Sequence, residues 1–252
     1  MARKLDNVPR EIFDAGRSPR NKYQALVIGR PGWGPLLRYE LVMSVASRRP
    51  GALGLWLRAR LYPGLLGACG PNVFFGQDVV LRHPHKIRIG RDVVIDDGSV
   101  LDAKGTGNAG IRIGDGVFIG RSSVITTKDG DITLEDRVNI SGFCTVFSGS
   151  SVRVGHDTLV AAYSYLVGGG HDFASTDLAI VDQERPSHGI EVGPNGWIGT
   201  GVAVLDGVRI GRDVVIGANS LVTADIPDFT IAGGTPARVL RERRAAEATG
   251  TP

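Results

Sequence analysis

Residues 89–106 read IGRDVV, IDDGSV and LDAKGT, three consecutive hexapeptides that each open on an aliphatic residue. The arrangement returns as IGDGVF, IGRSSV, ITTKDG over 113–130 and as IGRDVV, IGANSL, VTADIP over 210–227. Three hexapeptides form one 18-residue triangular coil. Each contributes a short strand with one inward aliphatic residue and a tight turn. No single coil can bury its apolar side, but a stack buries a continuous column of Val, Ile and Leu. Glycine agrees with this reading: 36 residues of 252 is about twice ordinary usage, without the period of three that marks collagen.

The register survives every interruption. First-face residues fall at Cys69, Ile89, Ile113, Leu134, Val154, Val192 and Ile210, spaced by 20, 24, 21, 20, 38 and 18. Second and third faces follow six and twelve residues after each. All insertions therefore sit at one corner, after the third face. Returns to the first face alternate, as in Ile87-Arg-Ile89 and Ile111-Arg-Ile113, the pattern of a strand with both aliphatics facing in. The expected fold class is all-β: a left-handed parallel β-helix of about seven coils, with a short helical N-terminal segment and a C-terminal helix. One insertion exceeds the rest by far. It lies between Leu166 and Val192 and holds GGGHDF. A long loop on a rigid solenoid is a place for function.

The expected organisation is a polar, partly disordered arm over 1–34, a helical cap over 35–68, the β-helix over 69–227 with a loop at 167–191, and an extension over 228–252 with a short helix and tail. In the cap, Leu37, Leu41 and Val45 form one helical stripe and Leu53, Trp56, Leu57 and Leu61 another. The cap either covers the open edge of the first coil or, through its arginines, touches an anionic membrane surface over 35–62. A net charge of +3 gives no case for nucleic acid. Cys69 and Cys144 make no disulfide framework and read as buried thiols. The opening residues carry no signal-peptide pattern, and a cytoplasmic protein is expected.

With these residues in place, the chain resembles the hexapeptide-repeat acyltransferases over about 69–240. The stretch from GGGHDF through WIGTGVAVLDG to GGTPARVLRER is similar to the sugar and polysaccharide O-acetyltransferase branch. The resemblance implies a homotrimer that binds acetyl-coenzyme A, or another acyl-CoA, between neighbouring prisms, with no metal. It places the catalytic base at His171. It assigns donor-site roles to Trp197, to the amides of Thr200 and Ala218, and to Thr223, Arg238 and Arg241. Ala224 departs from a common Lys, and Ser141-Gly142 stands where an acceptor-binding Asn is frequent, so the acceptor stays open between a sugar or glycan hydroxyl and an amine.

The chemistry fits these residue types. Acyl transfer from a thioester needs a base, an oxyanion site and alignment of two substrates. A neutral imidazole suits the first because it titrates near working pH. Backbone amides suit the second, and a groove between subunits the third. Asp172 is a candidate for orienting His171. Ser141, Tyr163 and Tyr165 are candidates for the acceptor pocket. His83, His85 and His156 are expected at the surface, and His188 as an exposed loop residue. Their spacing forms no zinc-binding trio of the carbonic anhydrase kind. A trimeric scaffold without catalysis is the non-enzyme alternative.

Overall fold

The computed structural model describes residues 16–243. Expectations for the first 15 residues and for the tail beyond 243 lie outside the described residues. The chain forms a β-solenoid of three sheets, two of seven strands and one of nine, parallel except for the last strand of the nine. The pairing follows the sequence register residue by residue. Cys69, Ile89, Ile113, Leu134, Val154, Val192 and Ile210 are successive partners on face one. Phe75, Ile95, Ile119, Ile140, Val160, Ile198 and Ile216 are partners on face two. Leu81, Leu101, Ile125, Val146, Leu166, Val204 and Val222 are partners on face three. Apart from half-buried Cys69, these residues are buried. Truncating one to alanine costs about 2–5 kcal/mol.

The corners obey a second rule. The third residue after each inward aliphatic of faces one and two adopts positive φ. Asn72, Asp92, Asp157, Asn195 and Asp213 do so after face one, and Asp78, Ser122, Gly201 and Asn219 after face two. Gly tolerates this backbone because it lacks Cβ, and Asn and Asp pay less for it than other residues.

Seven full coils are followed by a partial eighth. Ile226 bridges to Ile210, and Thr230–Gly234 pairs with face two. The chain then reverses, and Ala237–Glu242 pairs antiparallel with Thr230–Gly234. The expected C-terminal helix is therefore replaced by a strand. The last coil presents unpaired amides and carbonyls, and an antiparallel return satisfies them where a helix would not.

At the other end three α-helices precede the first coil, α1 (Pro19–Tyr23), α2 (Trp33–Ala46) and α3 (Gly51–Leu61), and α2, α3 and the segment Gln24–Ile28 pack on it. Helix thus begins inside the stretch expected as an arm. Ser18 caps α1 by accepting from the Asn21 amide, and Pro19 is preset for the first turn. The cap bonds to the free edge of the first coil. Arg58 donates to Phe75 O at 2.8 Å, Tyr39 to Leu81 O at 2.8 Å, and the Asp78 amide to Ser47 O at 3.1 Å. Tyr39, Val42 and Ala46 are the buried side of α2. The expected stripe of Leu37, Leu41 and Val45 faces outward, as do Leu53 and Trp56. Both sides of α2 are apolar, and the side carrying the Tyr39 hydroxyl can bond to the coil edge.

Candidate functional site

The long loop leaves face three after Tyr165–Gly168 and rejoins face one at Ile190–Val192. Its two limbs are tied: the Gly170 amide donates to Pro186 O at 3.0 Å and the Asp172 amide to Glu184 O at 2.7 Å. Buried Gln183 fills the interior, donating to Ser175 O at 2.9 Å and Leu178 O at 3.1 Å. Ser187 anchors the root, donating to Gly168 O at 2.9 Å. His171 projects from this frame and is exposed. The Asp172 carboxylate accepts from the Ala174 amide at 3.0 Å, which stiffens the turn after His171. Phe173 is 78% exposed, and Leu178, Ile180 and Val181 are also open.

A second group lies on the opposite edge of face three, between faces two and three. Ser141, Tyr163, Thr200 and Ala218 occupy successive coils there. Phe143 and Tyr163 both adopt positive φ, 60° and 62°, in a position otherwise held by small or polar residues. Their rings stack at 5.3 Å. Bulky side chains in this backbone are strained, and such strain concentrates at functional sites. Gly199 and Gly201 donate to Ile216 O and Ala162 O, but among the described residues the Thr200 and Ala218 amides take no backbone acceptor. Trp197, 53% exposed, stands outside face two between Leu159 and Val215. Thr223 is exposed just beyond the last face-three strand, and Arg238 and Arg241 are exposed on the terminal hairpin.

One chain therefore does not bring all these residues together. His171 and Asp172 stand at one edge of face three, and Thr200 and Ala218 at the other. At ordinary strand rise the separation is about 15–20 Å. Tyr165, 46% exposed, stands on the face between them. The outer columns explain which surfaces could close the gap. Face one carries Arg88, Arg112, Thr133, Arg153, Glu191 and Arg209, while face two carries Phe74, Val94, Phe118, Asn139, Leu159, Trp197 and Val215. Face three carries Val80, Val100, Val124, Thr145, Tyr165, Ala203 and Leu221. A groove of about 940 Å³ along charged face one holds none of the sequence-predicted site residues.

Two features were not legible as site elements. Asp206 accepts from the amides of His188 at 2.8 Å and Gly189 at 2.8 Å, and lies 3.1 Å from His188 Nδ1. The spacing of 18 residues, one coil, was the available signal. His83 is buried, not at the surface: its ring bonds to Ala25 O at 2.9 Å, and its amide donates to Val27 O at 2.7 Å. The N-terminal segment covers that corner.

Comparison with known proteins agrees with the repeat. A family model described as the hexapeptide repeat of succinyl-transferase matches residues 110–146 and 189–224. A probable acetyltransferase of Mycobacterium tuberculosis is 32% identical over 136 residues, 54% of this chain and 45% of that protein. The chain thus spans less than half the length of that relative. The putative lipopolysaccharide biosynthesis O-acetyl transferase WbbJ of Escherichia coli is 30% identical over 179 residues, 68% of this chain and 82% of that protein. Among solved structures, AntD, an N-acyltransferase from Bacillus cereus in complex with dTDP-4-amino-4,6-dideoxyglucose and coenzyme A, shares the fold. Its TM-score is 0.52 at 16% identity, covering 71% of this chain and 85% of that one.

Proposed function

We propose that this chain, which belongs to the hexapeptide-repeat acetyltransferases, the left-handed β-helix enzymes that include polysaccharide O-acetyltransferases, transfers an acetyl group from acetyl-coenzyme A to a hydroxyl of a sugar or glycan precursor. The observation that carries the reading is the setting of His171, an exposed imidazole on the one long loop, held at its root by a buried hydrogen-bonded frame.

In this reading His171 accepts the proton of the acceptor hydroxyl as oxygen attacks the thioester carbonyl. The amides of Thr200 and Ala218, which take no backbone acceptor, donate to the oxyanion. The apolar strip of Leu159, Trp197 and Val215 suits the pantetheine arm, and Arg238 and Arg241 suit the phosphates of the donor. Thr223 lies near that end. Ser141, Tyr163 and Tyr165 wall the acceptor side, and the Phe143–Tyr163 stack stiffens it. Asp172 acts through the turn it caps.

The two edges meet only across a subunit boundary. Outer columns on faces two and three that are apolar except at Asn139 and Thr145, and charge on face one, support a closed homotrimer in which the His171 loop of one protomer faces the Thr200–Ala218 edge of the next. Two variants, His171→Ala and Trp197→Ala, test this. Each alone is expected to release little free thiol from acetyl-coenzyme A with a sugar acceptor. Mixed after co-expression, they regain part of the activity, because some sites combine two unaltered halves. No recovery, or no binding of acetyl-coenzyme A to the parent protein, overturns the reading.

The cap supports one more element. Leu37, Leu41, Leu53 and Trp56 are each more than 60% exposed, among Arg38, Arg48, Arg49 and Arg60. That composition suits contact with an anionic membrane surface, from the cytoplasmic side where acyl-CoA is found. Among the described residues no helix is long and apolar enough to cross a membrane.

A further inference from the structure

The corner column between faces two and three runs Asp78, Gly98, Ser122, Phe143, Tyr163, Gly201 and Asn219, one residue per coil and each at positive φ. Gly, Asn and Asp suit that backbone, and Ser is small. The two aromatics are its bulky members, and bulky side chains there are strained. Core packing does not offset the strain, because Phe143 is 49% and Tyr163 64% exposed.

Phe143 covers one face of the Tyr163 ring, with centroids 5.3 Å apart and planes 8° from parallel. The next residue of the column is Gly201, which has no side chain to cover the other face. The three nearest neighbours of a Cβ built on Gly201 would all be atoms of Asn219, at 2.4, 3.6 and 4.0 Å, so Tyr163 keeps clear of that position. The 2.4 Å neighbour is Asn219 Oδ1, which leans over the gap. Among the described residues neither the Asn219 side chain nor the Tyr163 hydroxyl carries a hydrogen bond. The coil ladder fixes the height of the opening. The Gly201 amide donates to Ala162 O at 3.0 Å and the Asn219 amide to Thr200 O at 2.8 Å. Tyr163 and Asn219 therefore stand two coils apart, about 9–10 Å at ordinary strand spacing. One six-membered ring in contact with both walls, at about 3.5–4 Å from each, fills that height. The gap also borders the Thr200 and Ala218 amides, since these residues immediately precede Gly201 and Asn219.

We propose that this gap is a subsite for one pyranose ring of the acceptor, with Tyr163 as the stacking platform and Asn219 as the hydrogen-bonding wall. The ring C–H bonds of a sugar carry partial positive charge and meet the negative face of the aromatic ring. The Asn219 amide offers both a donor and an acceptor to the hydroxyls. A flat-faced pyranose is thereby favoured over an open-chain amine. The subsite rests on the acetyl-transfer reading for its place beside the reacting carbonyl, and it names the ring that Tyr163 selects.

Sugar binding can be measured apart from turnover. Saturation-transfer NMR of the full chain, with methyl β-D-glucopyranoside and methyl β-D-galactopyranoside as probes, should show transfer to the ring C–H protons. Tyr163→Asn puts a turn-compatible residue at this backbone and is expected to lose most of the transfer, while Tyr163→Phe keeps it. Gly201→Asn fills the gap at a backbone that Asn tolerates, and should lose the transfer with the platform intact. With the better-bound glycoside as acceptor, Tyr163→Asn should raise its KM about three- to tenfold, the size of one aromatic contact, and leave the KM for acetyl-coenzyme A unchanged. The melting temperature of Tyr163→Asn should match or exceed that of the parent, because a strained ring is gone. No transfer in the parent, or full transfer in both Tyr163→Asn and Gly201→Asn, overturns the subsite. A raised KM for acetyl-coenzyme A alone gives the ring to the donor and overturns it too. So does a lower melting temperature or an altered sedimentation coefficient with sugar binding intact, which gives the ring to packing. Glycoside binding that depends on Tyr163, with no thiol release in the parent, leaves the subsite standing and overturns the acetyl-transfer reading instead.

Discussion

Asp206 lies one coil beyond His188, and its carboxylate accepts both the His188 and the Gly189 amides while facing His188 Nδ1 at 3.1 Å. The pair clamps the end of the long loop to the next coil. Asp206→Ala leaves two amides without their charged acceptor, at a cost of about 2–3 kcal/mol. The variant should melt several degrees lower, with turnover reduced and the KM for acetyl-coenzyme A little changed. The clamp holds the loop that carries His171 and none of the residues assigned to the donor. A raised KM with unchanged turnover would mean that the clamp serves the donor instead.

His171→Ala should separate activity from stability. An exposed imidazole contributes little to folding, so the melting temperature should stay near the parent value. Turnover should fall about 10² to 10⁴-fold. Retained turnover would remove His171 from the chemistry.

Arg58 ties the cap to the solenoid. It is 4% exposed and donates to Phe75 O, Ala46 O and Arg49 O. Arg58→Met keeps the bulk but orphans three carbonyls, and about 3–5 kcal/mol should be lost. Hydrogen exchange should rise first over 33–61, before the coils beyond open. Uniform exchange across the whole chain would show that cap and solenoid unfold together.

His85 predicts an acid sensitivity. Its folded pKa of about 4 lies below the ordinary 6.5. Between these values the unfolded chain binds more protons, so stability rises with pH. The contribution is complete above about pH 6.5 and is lost as the pH falls towards 4. Chemical denaturation across that range should show a shallower slope in His85→Gln than in the parent. Identical slopes would rule out this residue as the source.

Much of this protein was legible before folding. Each inward residue from Cys69 to Val222 could be placed by counting sixes, because one inward side chain per hexapeptide is a local property of the strand and its turn. The loop holding His171 was visible as the one large excess over 18. Other features depended on what packs where. Ala237–Glu242 sits in a stretch rich in helix-favouring residues, yet forms a strand because an open coil edge needs backbone partners. His83 has an ordinary turn sequence and is buried only because Ala25 and Val27 come to lie over it.

The sequence by itself determined the coils, their register and the loop, since all three follow from short-range periodicity. Only the tertiary structure decided that Tyr39 rather than Leu41 faces the core, that Asp206 closes the loop, that Phe143 and Tyr163 stack, and that His171 and Ala218 occupy different edges of one face. Those relations join residues from separate coils and from the cap. Local periodicity carries no information about how a corner is covered, or about which edges neighbouring elements leave open.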